Sequence, residues 1–349
     1  MEVPAISVII PMYNVEKFIA NCLDSLLAQT FRDFEVIVVD DCSTDNSVAI
    51  VEGYAPKFDG WFQLAKTKTN SGGGGYIPRN IGLNLASGEY VYFLDADDFI
   101  VETALEIFHT AATEYNSDVV YVSSCYFFDS YGKLKNIFDI ATANILNQGL
   151  EDKMTVTVDD PHKNIQRLLF DGCFRNPWTK FVRRDFLLKN KIAFPKIISG
   201  GDFIWSIQVF CHAKRLLRLP IALYFYRSDS SESISRKKRS PSEQIAHWVS
   251  AFIIWQKSLD ELVNKTEILK QNPAYSAKAS RLHFEYCMNS CFEERLSVSP
   301  EKFYEILYRK FADDSLVPFF LSVIDEYQRE LLLKQRLIDD LEEKLKAKE

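Results

Sequence analysis

The chain of 349 residues has no uninterrupted apolar run approaching the roughly 20 residues that cross a bilayer. Its N-terminus shows no basic segment followed by an apolar one. Neither a membrane-spanning helix nor a secretory leader is expected, and the chain reads as cytoplasmic. It also lacks a Cys-x-x-Cys pair. Its seven cysteines are scattered and odd in number, which fits reduced thiols better than a disulfide framework. His283, Cys287 and Cys291 fall at i, i+4 and i+8 on one helix face, but without a fourth ligand a half-buried helical stripe is the simpler reading than a zinc site. Excess positive charge is missing too: the net charge of -7 argues against nucleic acid as a partner.

What is present is an ordinary globular composition, 47% hydrophobic and 26% charged, with length for about two domains at the usual domain size. The organising stretch is Tyr92-Phe93-Leu94-Asp95-Ala96-Asp97-Asp98, an apolar run that ends in three carboxylates. Val91 to Leu94 reads as a buried strand, which sets the acids at its carboxyl end, where open parallel sheets bind ligands. Like charges this close raise each other's pKa unless a cation or donors compensate. Hard oxygen ligands of this kind suit Mg²⁺ or Mn²⁺, above all where substrate phosphates complete the shell. The plainer alternative is an acidic turn leading into a helix over 102–115.

Two further strands end the same way. Ile6 to Ile10 is β-branched and stops at Pro11, with Tyr13-Asn14 opening a turn; Phe34 to Val39 runs into Asp40-Asp41. Helical spacing at Phe18, Cys22, Leu23, Leu26 and Leu27, and a helix from about Asn46 to Tyr54 that Ser43-Thr44-Asp45 can cap, complete a βαβα alternation. A third strand is expected near 61–66. Asn70-Ser71-Gly72-Gly73-Gly74-Gly75 follows, then Arg79-Asn80 on a helix to Ala86. Consecutive glycines allow close backbone approach to a ligand, and Arg79 stands where a guanidinium could reach phosphate; a flexible loop is the alternative. No Gly-Lys-Ser/Thr follows, and Gly-x-Gly-x-x-Gly spacing does not fit the strand and helix context, so a Walker ATPase and a dinucleotide enzyme both lose ground.

Four segments together carry a resemblance: Ser7 to Asn14, Val39 to Ser47, Arg79-Asn80-Ile81-Gly82, and Ala86-Ser87-Gly88-Glu89 through Asp98. In this order they resemble the family 2 glycosyltransferases of GT-A fold, closely over about residues 5–130 and more loosely over 173–235. The resemblance implies a Rossmann-like, mixed but mostly parallel α/β sheet flanked by helices, a nucleotide-sugar donor, a divalent cation and inversion at the anomeric carbon. Position by position, it implies that Pro11, Tyr13 and Asp41 hold the nucleobase, with Asp41 accepting the imide N–H of a uracil-type base, most simply in a UDP-linked donor. Asn70 and Arg79 would lie by the nucleotide and diphosphate, Asp95 by the ribose or sugar and the metal, and Asp97 on the metal, with Asp98 bracing the turn. Cys42 replaces a common glycine and asks for a slightly different turn.

Val119 to Phe128 reads as another strand, and 129–160 as an insertion without clear periodicity, either an acceptor-recognition loop or a surface loop. Asn176 to Leu187 resembles the acceptor-side segment, where Trp178 would offer a flat face to a sugar or sit in the core. Ser199-Gly200-Gly201-Asp202 aligns with a family segment that commonly reads Gly-Glu-Asp, so Asp202 is the expected base, although Gly201 removes the helper carboxylate. An N-cap role for Asp202 is compatible with this. Leu223 to Ser235, an aromatic strand, an arginine and a Ser-Ile-Ser loop, resembles the family's closing segment, in which Arg227 and Ser233 would fold over the diphosphate; a solvent-facing loop is the alternative.

Beyond these lies a helical region over 241–315, then Val317, Ile324, Leu331, Ile338 and Leu345 at sevenfold spacing. That heptad helix over 316–349 suggests a coiled coil joining copies of the chain, or a helix lying on its own protein. The expected organisation is therefore a glycosyltransferase domain over 1–240, with a donor half to about 130 and an acceptor half after it, followed by the two helical segments. Arg236, Lys237, Lys238 and Arg239 form either a solvated loop or a peripheral contact with anionic headgroups at the inner face of a membrane. The functional expectation is an inverting hexosyl- or N-acetylhexosaminyl-transferase acting on a saccharide or lipid-linked glycan acceptor. A non-catalytic nucleotide-sugar or glycan-binding module of the same fold is the alternative, kept open by Gly201. A sugar nucleotidyltransferase would want a Gly-rich, basic loop after the first strand, which Pro11-Met12-Tyr13-Asn14 does not supply.

Overall fold

The run Ile6 to Ile10 that predicts the first strand is buried at every residue, as is the whole of Phe34–Asp40. Strands apolar on both faces belong inside a parallel sheet covered by helices, and that is where the computed structural model sets them. It describes residues 3–72, 74–128, 134–139, 154–197, 199–227 and 239–290, with a few isolated positions beyond. In chain order the strands are β1 (Ile6–Met12), β2 (Phe34–Asp40), β3 (Phe62–Lys66), β4 (Tyr90–Phe93), β5 (Phe99–Ile100), β6 (Val119–Phe128), β7 (Leu134–Asp139), β8 (Thr155–Val158), β9 (Lys180–Arg183) and β10 (Arg215–Arg227). The helices are α1 (Ile19–Leu27), α2 (Ser47–Tyr54), α3 (Tyr76–Leu85), α4 (Ala104–Glu114), α5 (Pro161–Phe170), α6 (Arg184–Lys189), α7 (Gly201–His212), α8 (Pro241–Lys265), α9 (Glu267–Gln271) and α10 (Pro273–Asn289).

One sheet runs β3-β2-β1-β4-β9-β6-β10-β5, with β7 on β6 and β8 on β10. The first four strands are parallel; β9 enters antiparallel between β4 and β6, while β6 and β10 are parallel to each other. The sheet is thus a mixed α/β sheet, parallel over β3, β2, β1 and β4. Within the segment 129–160 that showed no periodicity, β7 and β8 pair antiparallel with β6 and β10, and the remainder lies outside the described residues, apart from the turn that leads into α5.

A buried carboxylate holds the parallel half together. Glu35, 3% exposed and set within β2, accepts from Ser7 Oγ of β1 at 2.7 Å and from Ser87 N and Oγ at 2.7 and 2.8 Å. Gly88 N donates to Ser7 Oγ at 2.9 Å, and a Cβ at position 88 would lie 2.6 Å from Ser7 N. The Ser87-Gly88 pair therefore lets the turn before β4 rest directly on β1. That contact fixes where β4 begins and so where its acidic end emerges.

The chain divides into two units, 1–237 with 254–281 and 238–253 with 282–349. Residues 254–281 belong with the sheet because Trp255 stacks on Phe203 at 5.5 Å and donates Nε1–H to Gly200 O at 3.0 Å. In the other unit, Ile245, Trp248, Val249 and Phe252 form an apolar cluster with Phe284, Cys287 and Met288. Buried Cys287 lies 3.5 Å from His283 Nε2, Cys291 is outside the described residues, and among those described no group of three His, Cys, Asp or Glu could hold a metal. The heptad segment 316–349 lies outside the described residues except for position 336.

The Gly88→Ala substitution is expected to destabilise the protein by about 1–3 kcal/mol, because backbone rather than a flexible side chain must yield. Urea unfolding measures it, and an unchanged midpoint would show that the β1 contact is not tight.

Candidate active site

Beyond the carboxyl ends of β1 and β2, two loops are laced together. Asn14, at φ +49°, donates its N–H to Ser43 Oγ at 3.0 Å and accepts from Thr44 N at 2.8 Å. Val15 N and Glu16 N donate to Ser47 Oγ and Asp45 Oδ2 at 2.8 and 3.0 Å. The side chains expected to cap α2 mostly serve this loop instead; Asp45 keeps one contact with the helix start, accepting from Ser47 N at 3.0 Å. Cys42 adopts φ +65°, the left-handed conformation that glycine enters freely. The turn thus keeps a glycine's shape rather than taking a different one, and the backbone of Cys42 bears the strain of about 1 kcal/mol.

Asp41 closes this loop. Its N–H donates to Met12 O at 2.7 Å, which pins it to the end of β1, where Pro11 and the 46%-exposed Tyr13 stand. Its carboxylate accepts from Thr67 Oγ1 at 2.9 Å, Ser71 N at 3.0 and 3.1 Å, and Ser71 Oγ at 2.6 Å. A carboxylate offers about four lone-pair sites, and these three donors already make four contacts, so a further donor would share a site with the divided Ser71 N–H. Asn70 spends its amide within the loop, donating to Asp41 O at 2.8 Å and accepting from Gly72 N at 2.9 Å.

The acidic end of β4 separates into three environments. Asp98 is 2% exposed and accepts from Tyr224 O–H at 2.6 Å and Arg227 N at 2.8 Å. Burial, then Asp97 and Asp95, push its carboxyl well above the usual range, so it braces the turn. Burial, then the Asp95 carboxylate, raise Asp97 to about 6 against the pull of Arg227 and Arg79. Asp95 faces Arg79, whose Nη2 donates to its Oδ1 at 2.6 Å. Arg227 closes the far side, with Nε donating to Asp97 O at 3.0 Å and its guanidinium 4.4 Å above the Phe18 ring.

Arg79 joins the two halves of the site. On the first turns of α3 and 4% exposed, it donates from Nη1 to Gly74 O at 2.6 Å and to Asp202 Oδ1 at 3.3 Å as well as reaching Asp95. Although burial opposes its charge, the carboxylates of Asp95 and Asp202 hold its pKa above the ordinary value. Asp202 lies one residue inside α7, whose N-cap is Gly200 at φ +77°, so its carboxylate is not the cap. Burial raises Asp202 to about 6, Arg79 and Lys180 lowering it and Asp95 raising it.

Of the two readings of Trp178, acceptor contact and core residue, the core one holds. It is 3% exposed and stacked 4.2 Å from Tyr224, so it packs in the core and offers no face to an acceptor sugar. Two groups here escaped the sequence reading. Tyr224 O–H links Asp98 to Asp95 N, at 3.3 Å from the latter. Lys180 is wholly buried, donates to Phe174 O, Asn176 O and Thr179 Oγ1 at 2.6, 2.9 and 3.1 Å, and is lowered to about 8 by burial. A lysine beside the apolar pair Phe181-Val182 was the available signal. Ser233, Arg236, Lys237 and Lys238 lie outside the described residues; Arg239 donates to Gln244 Oε1 at 3.2 Å.

The chain is similar to several known proteins. TarS, the poly(ribitol-phosphate) beta-N-acetylglucosaminyltransferase of Staphylococcus aureus (strain MW2), is 32% identical over 241 residues, covering 68% of this chain but 38% of TarS. The putative glycosyltransferase EpsH of Bacillus subtilis (strain 168) is 27% identical over 361 residues, covering 96% of this chain and 99% of EpsH. The crystal structure of S. aureus TarS 1-349 in complex with UDP-GlcNAc superposes with a TM-score of 0.64 at 28% identity, covering 86% of this chain and 79% of that one. The family model Glycosyl transferase family 2 matches residues 7–187, more than half of the length, and the chain belongs to that family.

Proposed function

We propose that the protein is an inverting glycosyltransferase that moves N-acetylglucosamine or glucose from a UDP-linked donor to a glycan or lipid-linked saccharide acceptor. The observation that carries this reading is the Arg79 bridge, which ties a strand-end carboxylate, Asp95, to an uncapped carboxylate, Asp202, on another element. The crystallised relative TarS is complexed with UDP-GlcNAc, and another relative is a poly(ribitol-phosphate) beta-glucosyltransferase of Bacillus spizizenii. Tyr13 and Pro11 would receive the base, and the Asp41 carboxylate its imide N–H, in place of one arm of the divided Ser71 contact.

In a single displacement, the acceptor hydroxyl gives its proton to Asp202 as its oxygen attacks the anomeric carbon, and the bond from that carbon to the diphosphate oxygen breaks. Arg79 and Arg227 stand ready to meet the charge that develops on the leaving group. Asp97 and Asp95 fit a divalent cation, Mn²⁺ or Mg²⁺, because two hard carboxylates suit an ion whose other positions go to phosphate and water. Such an ion, when bound, neutralises diphosphate charge. A binding module without catalysis has Gly201 in its favour, yet an uncapped carboxylate raised to about 6 is better matched to accepting a proton near neutrality.

Asp202→Asn is expected to keep donor affinity while lowering transfer by about 10²- to 10⁴-fold, the range for a general base. UDP release and calorimetric donor titration check the two halves; full turnover in the variant refutes the base assignment. The pH profile supplies a second test. Asp202 must be anionic to act, and its pKa is raised, so activity should be present above about 6 and fall as pH drops through that value. An acidic limb near the unperturbed value of ~3.9 would contradict it.

A further inference from the structure

The glycine at position 201 and the glycine run before α3 meet at one side chain. Tyr76, the first residue of α3, is 5% exposed. A Cβ added at Gly74 would lie 2.3 Å from its Cε2 and Cζ, and one added at Gly201 would lie 2.7 Å from its Cε1. The ring is therefore gripped along both edges by two backbones, one entering α3 and the other opening α7. No longer side chain fits at 201 while Tyr76 is in place.

This ring begins an aromatic stack joining the elements that carry the site. Tyr76 stacks on Phe194 at 6.2 Å, Phe194 lies parallel to Trp205 of α7 at 4.9 Å, and Trp205 meets Phe93 of β4 edge-on at 5.6 Å. Asn80 fastens the middle of the stack, donating to Phe194 O and accepting from Phe194 N, both at 2.9 Å. Arg79 lies between Tyr76 and Asn80 in sequence, its guanidinium 5.4 Å from the Phe194 ring centre. The three elements so joined bear Arg79, Asp202 and, just beyond β4, Asp95.

We propose that Tyr76 is a positioning residue for the transfer reaction: its ring sets the separation of the α3 and α7 N-termini, and thereby the Arg79 to Asp202 contact. It takes the volume that a glutamate before Asp202 would need, so this chain exchanges a second acceptor-side carboxylate for an aromatic spacer. Glycine at 201 is then required by Tyr76, not a lesion in the site. The proposal rests on the roles given above to Arg79 and Asp202, and Asp202→Asn assayed alongside tests those roles separately.

The experiment is a double-mutant cycle with Tyr76→Ala and Gly201→Ala, plus Tyr76→Phe, in the full chain. Melting temperature reads the steric part without substrate: Gly201→Ala should lower it when Tyr76 is present and have little effect in the Tyr76→Ala background. UDP release from UDP-GlcNAc and UDP-glucose with Mn²⁺ reads the positioning part. Tyr76→Ala is expected to lower kcat by about ten- to a hundredfold, as small misplacements of reacting groups do, with donor KM within about threefold. Tyr76→Phe, which keeps the ring, should recover most of that loss. The crystal structure of Tyr76→Ala gives the same answer independently of turnover, the expected result being a widened Arg79 to Asp202 separation. Additive effects in the cycle, a kcat for Tyr76→Ala equal to the parent's, or the contact retained at 3.3 Å would each overturn the proposal.

Discussion

A guanidinium taken out of water costs several kcal/mol unless carboxylates meet it, and Arg79 is met by two from different elements. Neither contact is a surface ion pair of the kind worth little, because the arginine is buried and only the carboxylates are about a quarter exposed. Its planar fork can serve Asp95 from one nitrogen and Asp202 from the other, which a single ammonium point charge would do less well. The sheet brings the end of β4 to one side of this cation and the start of α7 to the other. The strand end that carries Asp95 and the helix start that carries Asp202 are thus registered by one side chain.

Around that cation the site holds more acid than it neutralises. Asp98 is provided for by Tyr224 and the Arg227 backbone, and its raised pKa is the consequence of burial beside two other carboxylates. Asp97 answers chiefly to burial and to the neighbouring Asp95, and its pKa is raised to about 6. On the proposed reading this surplus suits a cation and a diphosphate, since the ion and the arginines would then balance phosphate charge as well as carboxylate charge. Asp202, raised to a similar value, is balanced by Arg79 and by the wholly buried Lys180.

The strand ends were legible because their chemistry is one-dimensional: an apolar run that stops at Asp41 or at Asp95 says where a sheet edge meets solvent. The placing of Asp41 by the end of β1 followed the same logic, whereas the direct contact of Arg79 with Asp95 emerged only from the packing. The environment of Trp178 was not legible, since a tryptophan stacked on Tyr224 and one facing a sugar have the same neighbours in sequence. Asn70 looked like a ligand contact and proves to hold its own loop. Cys42 was expected to alter its turn, whereas it accepts the left-handed backbone of a glycine. Gly201 read as a missing carboxylate; only the packing shows Tyr76 in that space, from a residue 125 positions earlier in the chain.

The most direct measurement is of Arg79→Lys, with donor affinity and turnover followed together for UDP-GlcNAc and Mn²⁺. A lysine keeps the charge but not the fork, so the account predicts a loss of turnover of about a hundredfold together with weaker donor binding, as both carboxylates lose their common partner. Turnover and affinity like those of the parent would contradict it, because a point charge would then suffice and the bridge between Asp95 and Asp202 would not be what registers the site.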